Sequence, residues 1–526
     1  MIRSLADTPL ASRAWRLSNL YTIRDSNGQL VPFRPNLAQR KYYNTQWYGN
    51  HVLKARKLGF STFFEIENLD FLLFNPGLTA GIIDVGLDDA KEKLNMLRLA
   101  YENLDNGDIH PDTYRLGALI KRQIRFEEDA KERLVFNNDS RVRCSTSLRG
   151  ATPNRIHWSE AGKTAIFFPK KAEEIINGAL NSITPGNVAN IESTHEGGRF
   201  GSHFRLLRQA MKLDPAKLTK VDRKFHFFPW WDDPRYILEE DFPIRPEILK
   251  YFAQLSKALN GQTFTRAQML WYDKKQAEQG HGMKKEFPST PGEAFEAVSE
   301  HAIYGRQMAD LRAAGRICEF GKEAGLPCFT FWDIGLSDYT SIWLVQPVGR
   351  FFLVLDWQEF EGEPGSMMAE HLRTWEAAWG ITIAGHYVPH DADRRSPNDG
   401  KSYLETLIAS GLRNVQVVPR TPDVWLGIGY TRDILPHCWF NAPACDTERI
   451  HNGEEFPSGV ACLEGYSKDI SATGSTLREM PKHDVFSHSA DAFRTFAEAW
   501  KRGMVTPQAE HKPRAVSSRK PRGVRR

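Results

Sequence analysis

Two groups of residues in this chain have the types and spacing to do chemistry on phosphates. One is the segment Lys54-Ala-Arg-Lys-Leu-Gly-Phe-Ser-Thr62; the other is three aspartates, Asp333, Asp391 and Asp491, each beside an apolar segment. A phosphate cradle needs a glycine that lets backbone N–H groups approach, a helix start that supplies more of them, a cation, and a hydroxyl for Mg2+. Gly59 meets the first need, Ser61 and Thr62 supply hydroxyls, and Phe63 to Leu73 can form the helix. Phe60 stands where a lysine would follow the glycine, so the cation must come from Lys54, Arg56 or Lys57 at the front of the loop. A basic surface turn would explain the same letters.

The surroundings favour the cradle. Arg155-Ile-His-Trp-Ser-Glu160 reads as a short strand ending in an acid, where a base that polarises water beside a γ-phosphate would sit. Asn190-Ile-Glu-Ser-Thr-His195 repeats the design and offers Thr194 as a γ-phosphate sensor, and Gln39 offers an amide for an adenine edge. Singly, each has a plainer reading: a solvated strand end, a turn residue, an exposed helix residue.

Cleavage of a phosphodiester with two divalent metal ions needs several carboxylates converging on Mg2+ or Mn2+. Asp333 ends the apolar run Cys328-Phe-Thr-Phe-Trp, Asp391 follows Tyr387-Val-Pro-His390, and Asp491 opens a helix with apolar positions at Ala492, Phe493, Phe496, Ala497 and Trp500. A lone aspartate in a loop is usually a cap or turn residue. Three at the ends of elements that share one sheet are a metal-site expectation. Asp338, Asp393, Asp484 and His488 are further candidates, for the metal or for holding the helix start.

The elements that must position these residues fall into an α/β pattern. Residues 31–236 alternate short apolar runs with helical stretches, as a mostly parallel sheet flanked by helices would, with 1–30 as an N-terminal extension. Residues 237–325 read as a small helical connector. Residues 326–504 change class: three closely spaced strands (Cys328–Asp333, Thr340–Val345, Arg350–Trp357) form a meander, then strand, helix and strand alternate, the order of an RNase-H-like sheet in which the fourth strand neighbours the first.

Composition sets the bounds. At 526 residues the chain exceeds what one core usually supports, and 41% hydrophobic and 25% charged residues are ordinary for a globular protein. The net charge of +4 says little about a nucleic-acid partner, but the last fifteen residues carry seven basic side chains and no acid, which predicts a disordered basic tail over 505–526. The six cysteines show no CxxC spacing and read as reduced thiols rather than a zinc site or disulfide framework, His437 beside Cys438 notwithstanding. No apolar run approaches the ~20 residues that span a bilayer.

With these residues in view, the chain resembles the large terminase subunits of tailed bacteriophages. The form K-x-R-x-x-G-x-S-T is similar to a variant phosphate loop of that family, and D-x-G-x-x-D-x-T at Asp333, H-S-A-D-A-F at Asp491, Ser145-Thr-Ser-Leu-Arg149-Gly150 and Glu286-Phe-Pro-Ser-Thr-Pro-Gly-Glu293 also look like terminase segments. The resemblance implies an N-terminal P-loop (ASCE-type) ATPase, a small connector and a C-terminal RNase-H-like nuclease. It implies Lys54 as the phosphate-binding lysine with Lys57 in reserve, Arg56 as the arginine that triggers hydrolysis, and Glu160 as the catalytic acid. It implies ATP with one Mg2+ held by Ser61, and two Mg2+ or Mn2+ ions at Asp333, Asp391 and Asp491. One departure stands out: the family's aspartate beside the catalytic glutamate is Ser159 here.

The partners implied are double-stranded DNA, a portal ring, a small terminase subunit and further copies of the chain in a ring on that portal. The place implied is the host cytoplasm, transiently docked on a procapsid, with no membrane and no part in the mature virion. Contacts to DNA phosphates are expected at Arg141, Arg143, Arg149, Arg394, Arg395 and Lys401. Two other readings stay open: a helicase-like translocase whose RNase-H-like domain binds without cutting, and a capsid-associated DNA-binding protein without enzymatic activity.

Overall fold

A computed structural model of the chain describes residues 8–148, 150, 152–196, 201–296, 302–335, 339–395, 400–447, 449–451, 454–470 and 477–505. Arg149, Asp338 and the tail from 506 lie outside the described residues. The chain divides into two compact units, Met1–Ala297 and Val298–Arg526. Each unit is built on a mixed sheet.

In the first unit, helix α1 (Leu37–Thr45) precedes strand β1 (Gly49–Lys54), which runs through a loop into helix α2 (Phe60–Phe74). The remaining strands of its main sheet are β2 (Thr79–Ile83), β3 (Phe126–Asp129), β4 (Arg133–Phe136), β5 (Arg141–Ser145), β6 (Arg155–Ser159), β7 (Val188–Ser193) and β8 (Arg223–Phe228). The sheet order is β8-β1-β7-β6-β2-β5-β4-β3, parallel from β8 to β5 and antiparallel at the β3–β4 edge. One strand, β7, therefore lies between β1, which feeds the phosphate loop, and β6, which ends at Glu160. The sequence pattern predicts a mostly parallel sheet, and the inserted strand is the order of the ASCE type that the family resemblance implies. All residues of β1 and β6 are buried, as in a parallel sheet covered on both faces.

Helix α2 is buried nearly all round. Phe60, Phe63, Phe64, Ile66, Leu69, Leu72 and Leu73 are in the core, each contributing roughly 1.5–3 kcal/mol. That gain offsets the cost of three acids buried on the same helix, each of which has a cationic partner. Asp70 takes two bonds at 2.8 Å from the Arg16 guanidinium and one at 2.7 Å from the Tyr21 hydroxyl. Glu67 meets Arg13 and, at 3.2 Å, Arg155. Glu65 lies 2.6 Å from His157 Nδ1. Arg16, Leu17, Leu20 and Tyr21 thus belong to the core of this unit although they precede its sheet.

The stretch 237–325, expected as one connector, is shared between the two units. Helices α3 (Pro246–Ala258) and α4 (Arg266–Gln279) bury Ile248, Phe252, Leu255, Leu270 and Tyr272 in the same cluster as Phe60 and Trp230. Trp271 stacks on Trp230 at 5.0 Å. Their amphipathic faces already have a partner, so they add to the first core instead of forming their own.

In the second unit the strands of the main sheet are β9 (Ile317–Cys318), β10 (Cys328–Asp333), β11 (Tyr339–Val348), β12 (Phe351–Glu361), β13 (Ile383–Val388), β14 (Val415–Val417) and β15 (Cys438–Asn441), with α5 (Gly365–Trp379) between β12 and β13. The order is β9-β15-β12-β11-β10-β13-β14. The meander β10–β11–β12 is antiparallel, and β13 pairs with β10 in parallel. That is the RNase-H-like order, with the fourth strand beside the first. Helix α6 (Ser487–Lys501) crosses this sheet through Phe493 and Phe496, the latter 4.6 Å from Phe331 and 5.1 Å from Phe352. Its first turn is pinned where Trp343 donates to the Ser489 carbonyl and Trp357 to the Ser489 hydroxyl, both at 2.8 Å.

Candidate functional site

The phosphate-loop residues gather at the C-terminal end of β1. Gly59 caps α2 with φ +77°, a left-handed conformation that favours glycine. Any Cβ there would also sit 2.9 Å from the Gln39 amide nitrogen. Lys54 is buried at the strand end, and its Nζ lies 3.0 Å from Glu192 Oε2. Burial alone would depress that ammonium; Glu192 and Glu160 override it and raise the pKa. The Ser61 hydroxyl donates to Glu192 Oε1 at 2.6 Å. Thr62 is half-buried one step along α2, and Lys57, at φ +59°, is exposed.

Arg56 is exposed but tied. Its guanidinium pairs with Glu286 at 3.0 Å, its backbone N–H donates to the Glu286 carbonyl at 2.8 Å, and its carbonyl accepts from the Tyr236 hydroxyl at 2.5 Å. Glu160 follows the buried strand β6 in a left-handed conformation (φ 51°, ψ 40°), which costs a non-glycine residue on the order of 1–3 kcal/mol and is typical of functional sites. Its carboxylate lies 3.2 Å from Lys163 Nζ. Thr194 is buried just beyond β7, whose last residue, Ser193, accepts from Gly162 N at 3.1 Å.

Gln39, expected to meet an adenine edge, is bonded to the phosphate loop itself. It is buried, its Oε1 accepts from Asn36 N at 2.9 Å in a capping box that starts α1, and its Nε2 donates to the Gly59 carbonyl at 2.8 Å. Each end of the amide makes one bond, so it braces the loop and keeps a second N–H and a second lone pair.

The residue that sequence reasoning missed is Glu192. It is fully buried on β7 and is met by Lys54, Ser61, the Ser159 hydroxyl at 3.0 Å and His157 Nε2 at 3.5 Å. Burial would raise its pKa, but Lys54, His157 and Ser61 hold it well below the usual carboxylate range. The His157 ring is likewise pulled down by burial, yet its bonds to Glu192 and Glu65 raise it to about 9. The Ser61 hydroxyl at the start of α2 and the Glu192 carboxylate on β7 are hard-oxygen groups of the kind that suits Mg2+ beside a phosphate.

Asp333, Asp391 and Asp491 line one cavity of about 410 Å³. Asp333 ends β10. Asp391 is exposed in the short turn His390–Asp393 that follows β13, just past the strand. Asp491 lies in the second turn of α6, not at its opening, because the helix already starts at Ser487. Burial pushes the Asp333 carboxyl up to about 6; the His488 ring, 3.3 Å away, opposes this and the charge of Asp491 adds to it. Asp491 accepts from Tyr466 at 3.0 Å and pairs with Arg494 at 2.8 Å.

An all-carboxylate set suits Mg2+ or Mn2+. Among the described residues, however, no three His, Cys, Asp or Glu side chains are close enough together to hold one ion. Of the other candidates, His488 touches Asp333, whereas Asp484 accepts from Phe486 N at 3.0 Å and pairs with Lys482 at the foot of α6. Asp393 is exposed.

Arg420 and Arg494 also line the cavity, and neither was expected there. The spacing of Arg494 three residues after Asp491 on a helix was the available signal. Arg394, Arg395 and Lys401 are exposed beyond Asp391, and Arg141 is exposed on the first unit. No described helix is long and apolar enough to cross a membrane.

No family model matches the chain, and no curated protein matches it. Solved structures do. The large terminase of a thermophilic bacteriophage in complex with ATP-gamma-S aligns over 86% of this chain and 93% of its own at 12% identity, with a TM-score of 0.28. The HK97 bacteriophage large terminase aligns over 89% and 95% at 11% identity and TM-score 0.37. The large terminase nuclease from thermophilic phage G20c with bound cobalt aligns over 40% of this chain and all of its own at 13% identity and TM-score 0.24. Alignments of this depth assign no residue its role.

Proposed function

We propose that the chain is a viral DNA-packaging motor subunit: it hydrolyses ATP to drive double-stranded DNA into a procapsid and cuts the concatemer with a metal-dependent nuclease. The observation that carries the reading is the convergence of Asp333, Asp391 and Asp491, far apart in sequence, on one cavity whose wall also carries Arg420 and Arg494.

In the first unit, Lys54 and Arg56 would neutralise the β- and γ-phosphates, backbone N–H groups from Gly59 onward would cradle them, and Ser61 would hold the accompanying Mg2+. Glu160 would orient and polarise the attacking water. Thr194, one strand away, would register the γ-phosphate. In the second unit, Asp333, Asp391 and Asp491, which line one cavity without forming a three-ligand cluster, would share Mg2+ or Mn2+ ions between them. The ions, when bound, lower the pKa of the attacking water and neutralise the leaving oxygen. Arg420 and the exposed Arg394, Arg395 and Lys401 would hold the DNA backbone without reading bases. The partners and location that go with this function are those the family resemblance implies: portal ring, small subunit, a ring of copies, and the host cytoplasm.

The test is metal-dependent nicking of supercoiled plasmid alongside ATP turnover. Cleavage by the native chain that disappears in Asp391→Ala, with ATPase retained, supports the reading; ATPase without cleavage under any divalent metal overturns its nuclease half. A second reading, a translocase whose RNase-H-like unit binds DNA without cutting, draws on the engagement of Asp491 with Arg494 and of Asp333 with His488. It expects the latter outcome.

A further inference from the structure

The residue beside Glu160 at the end of β6 is a serine. In nucleotide-hydrolysing sites of this design, Mg2+ is held by the phosphate-loop hydroxyl together with an acid at a strand end. Ser159 cannot supply that charge. In the register of β6 and β7, Ser159 is paired with Glu192, so a carboxylate stands on the same row one strand nearer to the phosphate loop. From there it reaches both sides: Ser61 Oγ donates to its Oε1 at 2.6 Å and Ser159 Oγ to the same oxygen at 3.0 Å, while Lys54 Nζ approaches the other oxygen at 3.0 Å.

A carboxylate with no exposed surface costs several kcal/mol to bury unless it is paired, and here the pairing groups are the cation and hydroxyl of the loop itself. His157 backs it at 3.5 Å and is in turn held by Glu65. The result is a line of alternating charge from α2, through β6 and β7, to the loop.

We propose that Glu192 is the positioning carboxylate of the nucleotide site: it orients the Ser61 hydroxyl toward the ion that accompanies the nucleotide, the task an acid at position 159 would otherwise perform. Lys54 shares the same carboxylate and exchanges it for phosphate when nucleotide arrives. The inference rests on the reading of residues 54–62 as a nucleotide site.

The experiment measures the affinity of the full chain for a fluorescent ATP analogue with Mg2+ and with EDTA. This reports the first unit whatever happens at the nuclease cavity. The native chain is expected to bind more tightly with Mg2+. Glu192→Gln keeps the shape and an acceptor for Ser61 but removes the charge; it should cut the Mg2+-dependent gain by about 10–100-fold, the usual effect of losing a metal ligand's supporting partner, while affinity in EDTA is kept or improved because Lys54 is released. Adding Ser159→Asp to Glu192→Gln should restore the gain, a rescue that a purely structural role would not produce. Should Glu192→Gln not fold, Glu192→Asp, which withdraws the carboxylate from Ser61 by one methylene, is read in its place for a partial loss.

A folded Glu192→Gln chain with the native Mg2+ gain, or a failure of Ser159→Asp to restore a lost one, overturns the inference. A native chain that binds no nucleotide under either condition overturns the nucleotide reading itself, and is distinguishable because the native control has then failed.

Discussion

Ser159 and Glu192 are partners across two adjacent parallel strands, and the serine hydroxyl donates to the glutamate at 3.0 Å. Around this pair Lys54, Ser61, His157 and Glu160 occupy the ends of two strands, the interior of one of them and the start of one helix, and separable roles for them lead to separable measurements.

Glu160→Gln should lower ATP turnover by about 10²–10⁴-fold, the range associated with a positioned acid or base, while nucleotide binding is kept. Steady-state phosphate release paired with a binding titration checks this. Turnover within a factor of about two of native would remove Glu160 from the chemistry.

His157 makes stability pH-dependent. Its pKa, about 9 when folded, lies above the ordinary histidine value of 6.5. The folded chain therefore keeps a proton that the unfolded chain loses, and stability should be full below about pH 6.5 and fall as pH rises toward about 9. Urea midpoints taken across that window should decline in the native chain and decline less in His157→Gln. Parallel slopes would show that the ring is neutral inside the protein.

Asp70→Ala leaves the buried Arg16 guanidinium without its carboxylate and Tyr21 without its acceptor. A loss of about 3–5 kcal/mol is expected from stranding a buried charge, read from denaturant unfolding of the first unit's fluorescence. A change under about 1 kcal/mol, the scale of an exposed pair, would mean that water reaches Arg16.

Arg420→Gln should weaken DNA binding at every sequence alike and reduce the slope of log affinity against log salt by about one. Anisotropy titrations with duplex DNA in Ca2+, over several salt concentrations, measure it. An unchanged slope would take Arg420 off the DNA path.

What the sequence made legible follows from where the signal is local. Asp333 and Asp391 could be found because each follows a short apolar strand, and the meander ahead of β13 defines which strands are neighbours. Gly59, Ser61 and Lys54 could be found because loop and helix start are contiguous. Glu192 was hidden for two reasons. An acid inside a strand ordinarily suggests a solvated face, yet β7 is covered on both faces, and its partnership with Ser159 is a register between strands that no local pattern records. The bracing bonds of Gln39 do have a local signal: Asn36-x-x-Gln39 ahead of an apolar stretch carries the spacing of a capping box. Helices α3 and α4 were legible as helices, but an amphipathic face does not state which core it will join.

The loop that carries Arg56 and Lys57 is held from outside by its own main chain: the Arg56 carbonyl accepts from Tyr236, the Lys57 carbonyl from Arg235 at 2.9 Å, and the Arg56 N–H donates to the Glu286 carbonyl. Any turn of either peptide plane must break or drag a bond to residues some way along the chain, each worth about 1 kcal/mol. Because these tethers end on backbone atoms, exchanging the side chains at 56 and 57 leaves them in place. Exchanging Arg56 removes its guanidinium pair with Glu286 along with the charge, but leaves the three main-chain tethers standing.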